Sequence, residues 1–320
     1  MSDEAFVIAM YKGLLGREPD KVGLASHLAS IREGSSYRDV VRAFIESQEY
    51  SEIHTKPPSF DFAARLSRPL CIVDVGAQEL ANEEHVYAPL LQSRLRTRCI
   101  GFEPLADRLE ERRASSGEIE LFPYCIGDGS PATLYVNNDD ATSSLLPLNS
   151  SFVKDYNHLR QLRTVDRKPV ETTRLDDALR DVAHVDFLKL DIQGAEAAAL
   201  QGGSEVLGRT NVVHCEVEFA PIYDQQPRFS EIELLLRNAG FELIDLQSLT
   251  RYWFESVPMR QPSGERLIWG EAVFFKVFHD CMLPDANDAL AQAAIAVHVY
   301  RKPGLAQHIL LRAGLQAIIS

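Results

Sequence analysis

Three stretches of this chain run apolar and then stop at a carboxylate: Cys71-Ile72-Val73-Asp74, Cys99-Ile100-Gly101-Phe102-Glu103 and Phe187-Leu188-Lys189-Leu190-Asp191. A short apolar run bounded by a turn signal reads as a strand buried on both faces, as in parallel sheets. Acidic residues at the ends of such strands share the carboxyl edge of the sheet, where doubly wound folds bind ligands. A fourth run, Val213-His214-Cys215-Glu216-Val217-Glu218, puts Glu216 and Glu218 on one face of its strand. Asp191, Glu216 and Glu218 are therefore candidates for accepting a proton from a substrate, Asp191 first because it ends a central strand. They could hold Mg²⁺ through oxygen ligands, but acids beside a hydroxylated substrate serve equally as hydrogen-bond acceptors, and the reading assigns no metal. His214 shares their face but lies deeper, as a satisfied core histidine does.

The turn Asp74-Val75-Gly76 admits two ligands. A dinucleotide would call for G-x-G-x-x-G, and only Gly76 is present. S-adenosylmethionine has no pyrophosphate to cradle and needs one tight turn beside its methionine moiety. Glu103, at the end of the next strand, can then accept from the ribose hydroxyls, as the acidic residue of dinucleotide folds does.

These residues have to be positioned by an alternating α/β region from about residue 60 to 280. Strands are expected at 70–75, 98–103, 119–125, 133–137, 186–191, 211–218, 241–247 and 271–278. Helices are expected at 85–95, 105–114, 195–201 and 230–239, the last opened by a Ser230–Glu233 capping box. Only a loop or short hairpin separates the last two strands, so the final one can run antiparallel. The segment Phe152 to Val165, with Tyr156 and His158, reads as a polar aromatic helix that could form an acceptor lid. The loop from Tyr252 to Trp269 is a second candidate acceptor wall.

Both ends read as helical. Phe6, Val7, Met10 and Leu14, then Leu24, Leu28 and Ile31, then Val40, Val41, Phe44 and Ile45 recur at helical spacing. Thr55-Lys56-Pro57-Pro58-Ser59 follows as a linker. The expected divisions are 1–56, 57–280 and a helical tail at 281–320. That tail is apolar and needs a partner surface, which could be the catalytic domain, the N-terminal module or a second subunit in a homodimer.

The 320 residues are 45% hydrophobic and 25% charged, ordinary for a globular protein. A net charge of −13 disfavours nucleic acid as a partner. No apolar run approaches the roughly 20 residues of a membrane helix. The five cysteines form no CxxC pair, and with no secretory signal in the first residues the expected setting is cytoplasmic.

Further stretches follow in order: Tyr124-Cys125-Ile126-Gly127-Asp128-Gly129, Thr142-Ser143-Ser144-Leu145, Thr173-Arg174-Leu175-Asp176-Asp177 and Leu188-Lys189-Leu190-Asp191-Ile192-Gln193-Gly194-Ala195-Glu196. Together with Asp74-Val75-Gly76 this set resembles the FkbM family of S-adenosylmethionine-dependent methyltransferases over roughly residues 70–278. The resemblance implies a Rossmann-like class I methyltransferase fold, a seven-stranded sheet with an antiparallel last strand. It implies that Asp74, Gly76, Ala77 and Gln78 lie at the methionine end of the donor, Glu103 and Pro104 at its ribose, and Ile126 and Gly127 at its adenine. Asp191 would lie where donor and acceptor meet, with Ser143 and Ser144 matching a family serine motif near the active site, while Tyr156 and His158 are expected toward the acceptor from the lid segment alone. Family members methylate hydroxyl oxygens of sugars and related natural products, so an O-methyltransferase acting on a saccharide or glycosylated metabolite is expected. A catalytically silent interaction protein and methylation at nitrogen or a carboxylate are the alternatives. The family's first motif usually continues into Asn and a second glycine, whereas this chain has Gln78-Glu79, which carries an added negative charge. The motif Tyr11-Lys12-Gly13-Leu14-Leu15-Gly16-Arg17-Glu18-Pro19-Asp20, with Gly23-Leu24 and then Phe44-Ile45-Glu46-Ser47-Gln48-Glu49-Tyr50, covers about fifty residues and resembles a small helical module of unknown function found in bacterial surface, secreted and glycan-related proteins.

Overall fold

Strand β1 (Leu70–Val75) is buried at every position, which requires apolar cover on both faces of its sheet. In a computed structural model, which describes residues 2–47, 49–50, 60–78, 84–115, 119–256, 264–276 and 285–315, that sheet has seven strands. In chain order the strands are β1, β2 (Thr97–Phe102), β3 (Ile119–Phe122), β4 (Cys125–Gly127), β5 (Pro131–Asn137), β6 (Thr164–Arg174), β7 (Val185–Leu190), β8 (Thr210–Glu218), β9 (Phe241–Tyr252) and β10 (Arg266–Lys276). The large sheet is ordered β3-β2-β1-β7-β8-β10-β9. β3, β2, β1, β7 and β8 pair in parallel, and β10 runs antiparallel to both β8 and β9. The expected α/β class with a reversed last strand is what the chain adopts.

Several elements depart from expectation. The run 119–125 is not one strand: it ends at Phe122, since Pro123 has no N–H for a ladder, and Cys125 opens β4 in a second sheet ordered β4-β6-β5. The strand expected at 133–137 lies in that same small sheet. Residues 152–165 are not a helix; one turn at Ser150–Val153 precedes turns and then β6. Six of the eleven β6 residues are exposed, so the strand carries no apolar alternation to betray it. The helix expected at 85–95 shrinks to Ala88–Leu91. The late helix starts at Phe229, where the Glu231 side chain accepts from Arg228 N at 3.1 Å, so the cap is not Ser230–Glu233. The Pro57-Pro58 linker, Glu79, Cys281 and the end of the 271–278 strand fall outside the described residues.

One face of the large sheet is covered by helices Glu196–Gln201 and Phe229–Asn238, which pack with Leu175 and Leu179 on Val73, Leu188 and Val213. The other is covered by the C-terminal helices Ala286–His298 and Pro303–Arg312. Nine consecutive residues of the first, Ala289 to Val297, are buried, and its alanines allow close approach to β7 and β8. The tail's partner surface is thus its own sheet. Asp186, fully buried at the start of β7, anchors it: Arg68 donates to Asp186 at 2.6 and 2.9 Å and to Asp288 at 2.7 Å.

Residues 1–59 form a separate compact unit from 60–320. Its described helices include Asp3–Leu15, Lys21–Arg32 and Tyr37–Ile45, capped by Ser2, Asp20 and Ser36, each cap contributing about 1 kcal/mol. Val7, Tyr11, Leu15, Val40 and Phe44 make its core. Arg17 binds Glu49 at 2.8 Å and lies 4.9 Å over the Tyr11 ring, joining the two ends of the sequence motif. Gly23 has no room for a side chain, since a Cβ would sit 2.1 Å from the Tyr11 hydroxyl. Among the described residues, no helix is long and apolar enough to cross a membrane.

Candidate functional site

At the carboxyl edge of β1 the chain turns through Gly76, whose φ of +82° a side chain would resist. A Cβ there would lie 2.0 Å from Asp191 O, so the turn packs directly on the backbone that follows β7. Asp191 N donates to Val75 O at 3.1 Å, and the amides of Gly76 and Ala77 both donate to Phe102 O at 3.1 Å. Above this edge lies a cavity of about 610 Å³.

Of the residues singled out from the sequence, Gly76, Gln78, Glu103, Pro104, Ile126, Ser143, Ser144, Asp191, Glu216 and Glu218 line this one cavity. Asp74, Ala77 and Gly127 do not. Asp74 is fully buried and accepts from the Tyr87 hydroxyl at 2.6 Å. Ala77 is buried beneath the turn, and Gly127 packs on Thr172 and on Gly202. Tyr156 lies in a small apolar cluster, its hydroxyl accepting from Arg266 at 2.8 Å. His158 is exposed with its ring 4.9 Å from that of Tyr252. Leu159 and Leu162 of the same segment do reach the cavity, as do Tyr252 and Trp269 from the second candidate wall.

Asp191 is held at both oxygens. Lys189 Nζ lies 3.3 Å from Oδ2, and Gln193 Nε2 donates to Oδ1 at 3.1 Å. Gln193 Nε2 also donates to Glu216 at 2.6 Å, and the Tyr223 hydroxyl donates to Gln193 Oε1 at 3.1 Å. Burial would raise the Asp191 carboxyl, but Lys189 and these hydrogen bonds outweigh it and hold it below the usual range. Glu216 and Glu218 go the other way. Burial, then the charge of neighbouring carboxylates, pushes both well above the usual carboxylate range. Glu196 is raised to about 7 by burial and caps the loop by accepting from Ile192 N at 2.8 Å. His214 is bonded to Tyr300 at 3.0 Å and faces Glu271 at 3.1 Å, as a satisfied histidine would be.

Sequence reasoning gave no role to Lys189, Gln193 or Tyr223. Lys189 carries a readable signal, a lone charge inside a buried strand, which must find partners. Gln193 adopts a left-handed φ of 57° and has none, because glutamine is no marker of that conformation. Ser144 fixes it by donating to Gln193 O at 2.6 Å.

The cavity suits S-adenosylmethionine. The Gly76 turn presents backbone where a Cβ cannot exist, and Gln78 stands beside it. Glu103 turns a carboxylate to the wall, with Oε1 accepting from Leu105 N at 2.8 Å. Tyr124, stacked on Phe122 with centroids 5.7 Å apart, and Ile126 add flat apolar surface.

Residues 74–243 match the family model of the methyltransferase FkbM domain, and residues 1–53 match a domain of unknown function, DUF4214. A curated relative, the 2-O-methyltransferase NoeI of Sinorhizobium fredii (strain NBRC 101917 / NGR234), is 28% identical over 183 residues, which is 54% of this chain and 72% of the relative. Among solved structures, methyltransferase FkbM from Methylobacillus flagellatus KT is 14% identical with a TM-score of 0.35. That likeness covers 84% of this chain and 58% of the other. Magnesium protoporphyrin IX methyltransferase from Synechocystis PCC 6803, solved with bound SAM, is 10% identical with a TM-score of 0.33, over 87% of this chain and 98% of the other.

Proposed function

The chain belongs to the FkbM family of S-adenosylmethionine-dependent methyltransferases, and from that membership we propose that it methylates a hydroxyl oxygen of a saccharide or glycosylated metabolite. The observation that carries this reading is the gathering at one cavity of Asp191, whose carboxyl is held low by Lys189, of Glu216 and Glu218, whose carboxyls burial pushes up, and of the aromatic pair Tyr252 and Trp269. The name of the NoeI relative, a 2-O-methyltransferase, agrees with oxygen as the acceptor atom.

Bound S-adenosylmethionine supplies a methyl group that is already electrophilic. The protein's task is then alignment, plus removal of a proton from a poor nucleophile. Asp191 takes that proton. Glu216 and Glu218, whose carboxyls burial pushes up, hydrogen-bond neighbouring hydroxyls. Tyr252 and Trp269, tied by a 3.2 Å bond from the indole N–H to the phenol, offer faces for a sugar ring. Lys189 is the only lysine or arginine among the described residues of the wall, and it already faces two carboxylates. The part of the acceptor that enters is accordingly uncharged or cationic rather than a phosphate or uronate.

The test is incubation with methyl-labelled S-adenosylmethionine and a pool of neutral glycosides, with mass spectrometry of the product. A methyl ether, stable to mild base, is expected. A methyl ester or an N-methyl product would overturn the reading.

A further inference from the structure

Lys189 stands in β7, otherwise buried, with 12% of its side chain exposed. Its cross-strand neighbour on β1 is Asp74. Lys189 Nζ lies 3.3 Å from Asp74 Oδ1, 3.3 Å from Asp191 Oδ2 and 3.4 Å from Gly76 O. Asp74 Oδ1 is buried and receives no hydrogen bond from the described residues, so the ammonium is its balancing charge. A single cation thus touches the carboxylate beneath the donor turn, the carbonyl of the turn itself and the candidate base.

We infer that Lys189 is a positioning residue that ties the Gly76 turn to Asp191, so that donor affinity and the ionisation of the base depend on one side chain. The donor half of this inference rests on the function proposed above; the electrostatic half does not. Other groups face the cluster without replacing the ammonium. Glu271 on β10 adds negative charge toward Lys189, and Glu103 adds it toward Asp74. On Asp74 the Tyr87 hydroxyl sits at 2.6 Å and His85 Nδ1 at 3.8 Å, while Arg112 donates to the Tyr87 hydroxyl at 3.1 Å. Glu216, joined to Asp191 through Gln193 Nε2, is a carboxyl and adds no cation.

Replacing Lys189 by methionine keeps the bulk and removes the charge. Asp74 and Asp191 then lose the cation they share, and the repulsion left between them favours a proton on one of the two. That carboxyl would titrate higher in the folded chain than in the unfolded one. The variant's stability relative to wild type should therefore fall as pH rises, because the folded state then binds more protons than the unfolded state.

The experiment uses the full chain as wild type, Lys189→Met and Lys189→Met/Asp74→Asn. S-adenosylhomocysteine binding is measured by calorimetry, and melting temperature without ligand is followed from about pH 6 to about pH 8. Lys189→Met should lose about tenfold or more in affinity, the deficit growing with pH, and its melting temperature should fall with pH more steeply than that of wild type. Asp74→Asn in that background should flatten the melting profile again, a rescue that a space-filling role would not give. If Lys189→Met does not fold at all, a double variant that folds supports the inference and one that stays unfolded overturns it. Wild-type affinity in Lys189→Met with a parallel pH profile, or a double variant no better than the single one, overturns it as well. If wild type itself binds no S-adenosylhomocysteine, the donor reading fails, and the melting profiles still decide whether Lys189 compensates Asp74.

Discussion

With Lys189 on one oxygen and Gln193 on the other, Asp191 has little freedom to rotate and a strong reason to stay ionised. Asp191→Asn keeps the shape and removes the base. Turnover should fall about 10²–10⁴-fold while S-adenosylhomocysteine affinity changes little, a split that kinetics and calorimetry together resolve. Glu103 supplies a pH test. Burial raises its carboxyl to about 7, the Leu105 amide opposing and Asp74 and Asp140 adding to the rise. Since its folded value exceeds the unfolded one of about 4.3, Glu103 costs stability as pH climbs from about 4 to about 7. Ligand binding has the opposite sign: ribose hydroxyls donate to the ionised form, so affinity should climb through pH 7, and Glu103→Gln should abolish that slope. The acids were legible because each one ends or punctuates an apolar run. Which way each points was not. Asp74 looks like a ligand-facing residue in the sequence, yet its side chain turns to Tyr87 and Lys189 beneath the turn.

The same contrast holds for elements. The central strands of the large sheet, β1, β7 and β8, were readable because burial on both faces demands continuous apolar runs. In the small sheet β5 was readable at 133–137, but its central strand was not, since β6 turns mostly charged residues to solvent. Its consequence for the site is direct: Ile126 on β4 and the Ser143-Ser144 stretch after β5 reach the cavity from this sheet. The tail helix is the second element whose place required the structure. Its periodicity announced an apolar face, but only the sheet's uncovered side, where Arg68 bridges Asp186 of β7 to Asp288 of the helix, says where it goes. Asp186→Ala would leave Arg68 part-buried without its main partner, and a loss of about 3–5 kcal/mol is expected, measurable by urea denaturation. At the donor edge, Gly76→Ala forces a Cβ toward Asp191 O. It should abolish S-adenosylhomocysteine binding even in a chain that still folds.

At the scale of the molecule, the chain consists of a helical unit and an α/β unit, each with its own core. The whole described cavity wall belongs to residues 75–271, so a chain of residues 60–320 should fold and bind S-adenosylhomocysteine as the full protein does. A loss of affinity in that truncation would give the N-terminal unit a part in the site. The central claim is that the cavity above Gly76 is the methyl donor's site, and calorimetry of S-adenosylhomocysteine against wild type and Gly76→Ala tests it most directly. Saturable binding of one ligand per chain in wild type, absent in the folded Gly76→Ala variant, is the predicted result. No binding to folded wild type, or equal binding by both proteins, would contradict it.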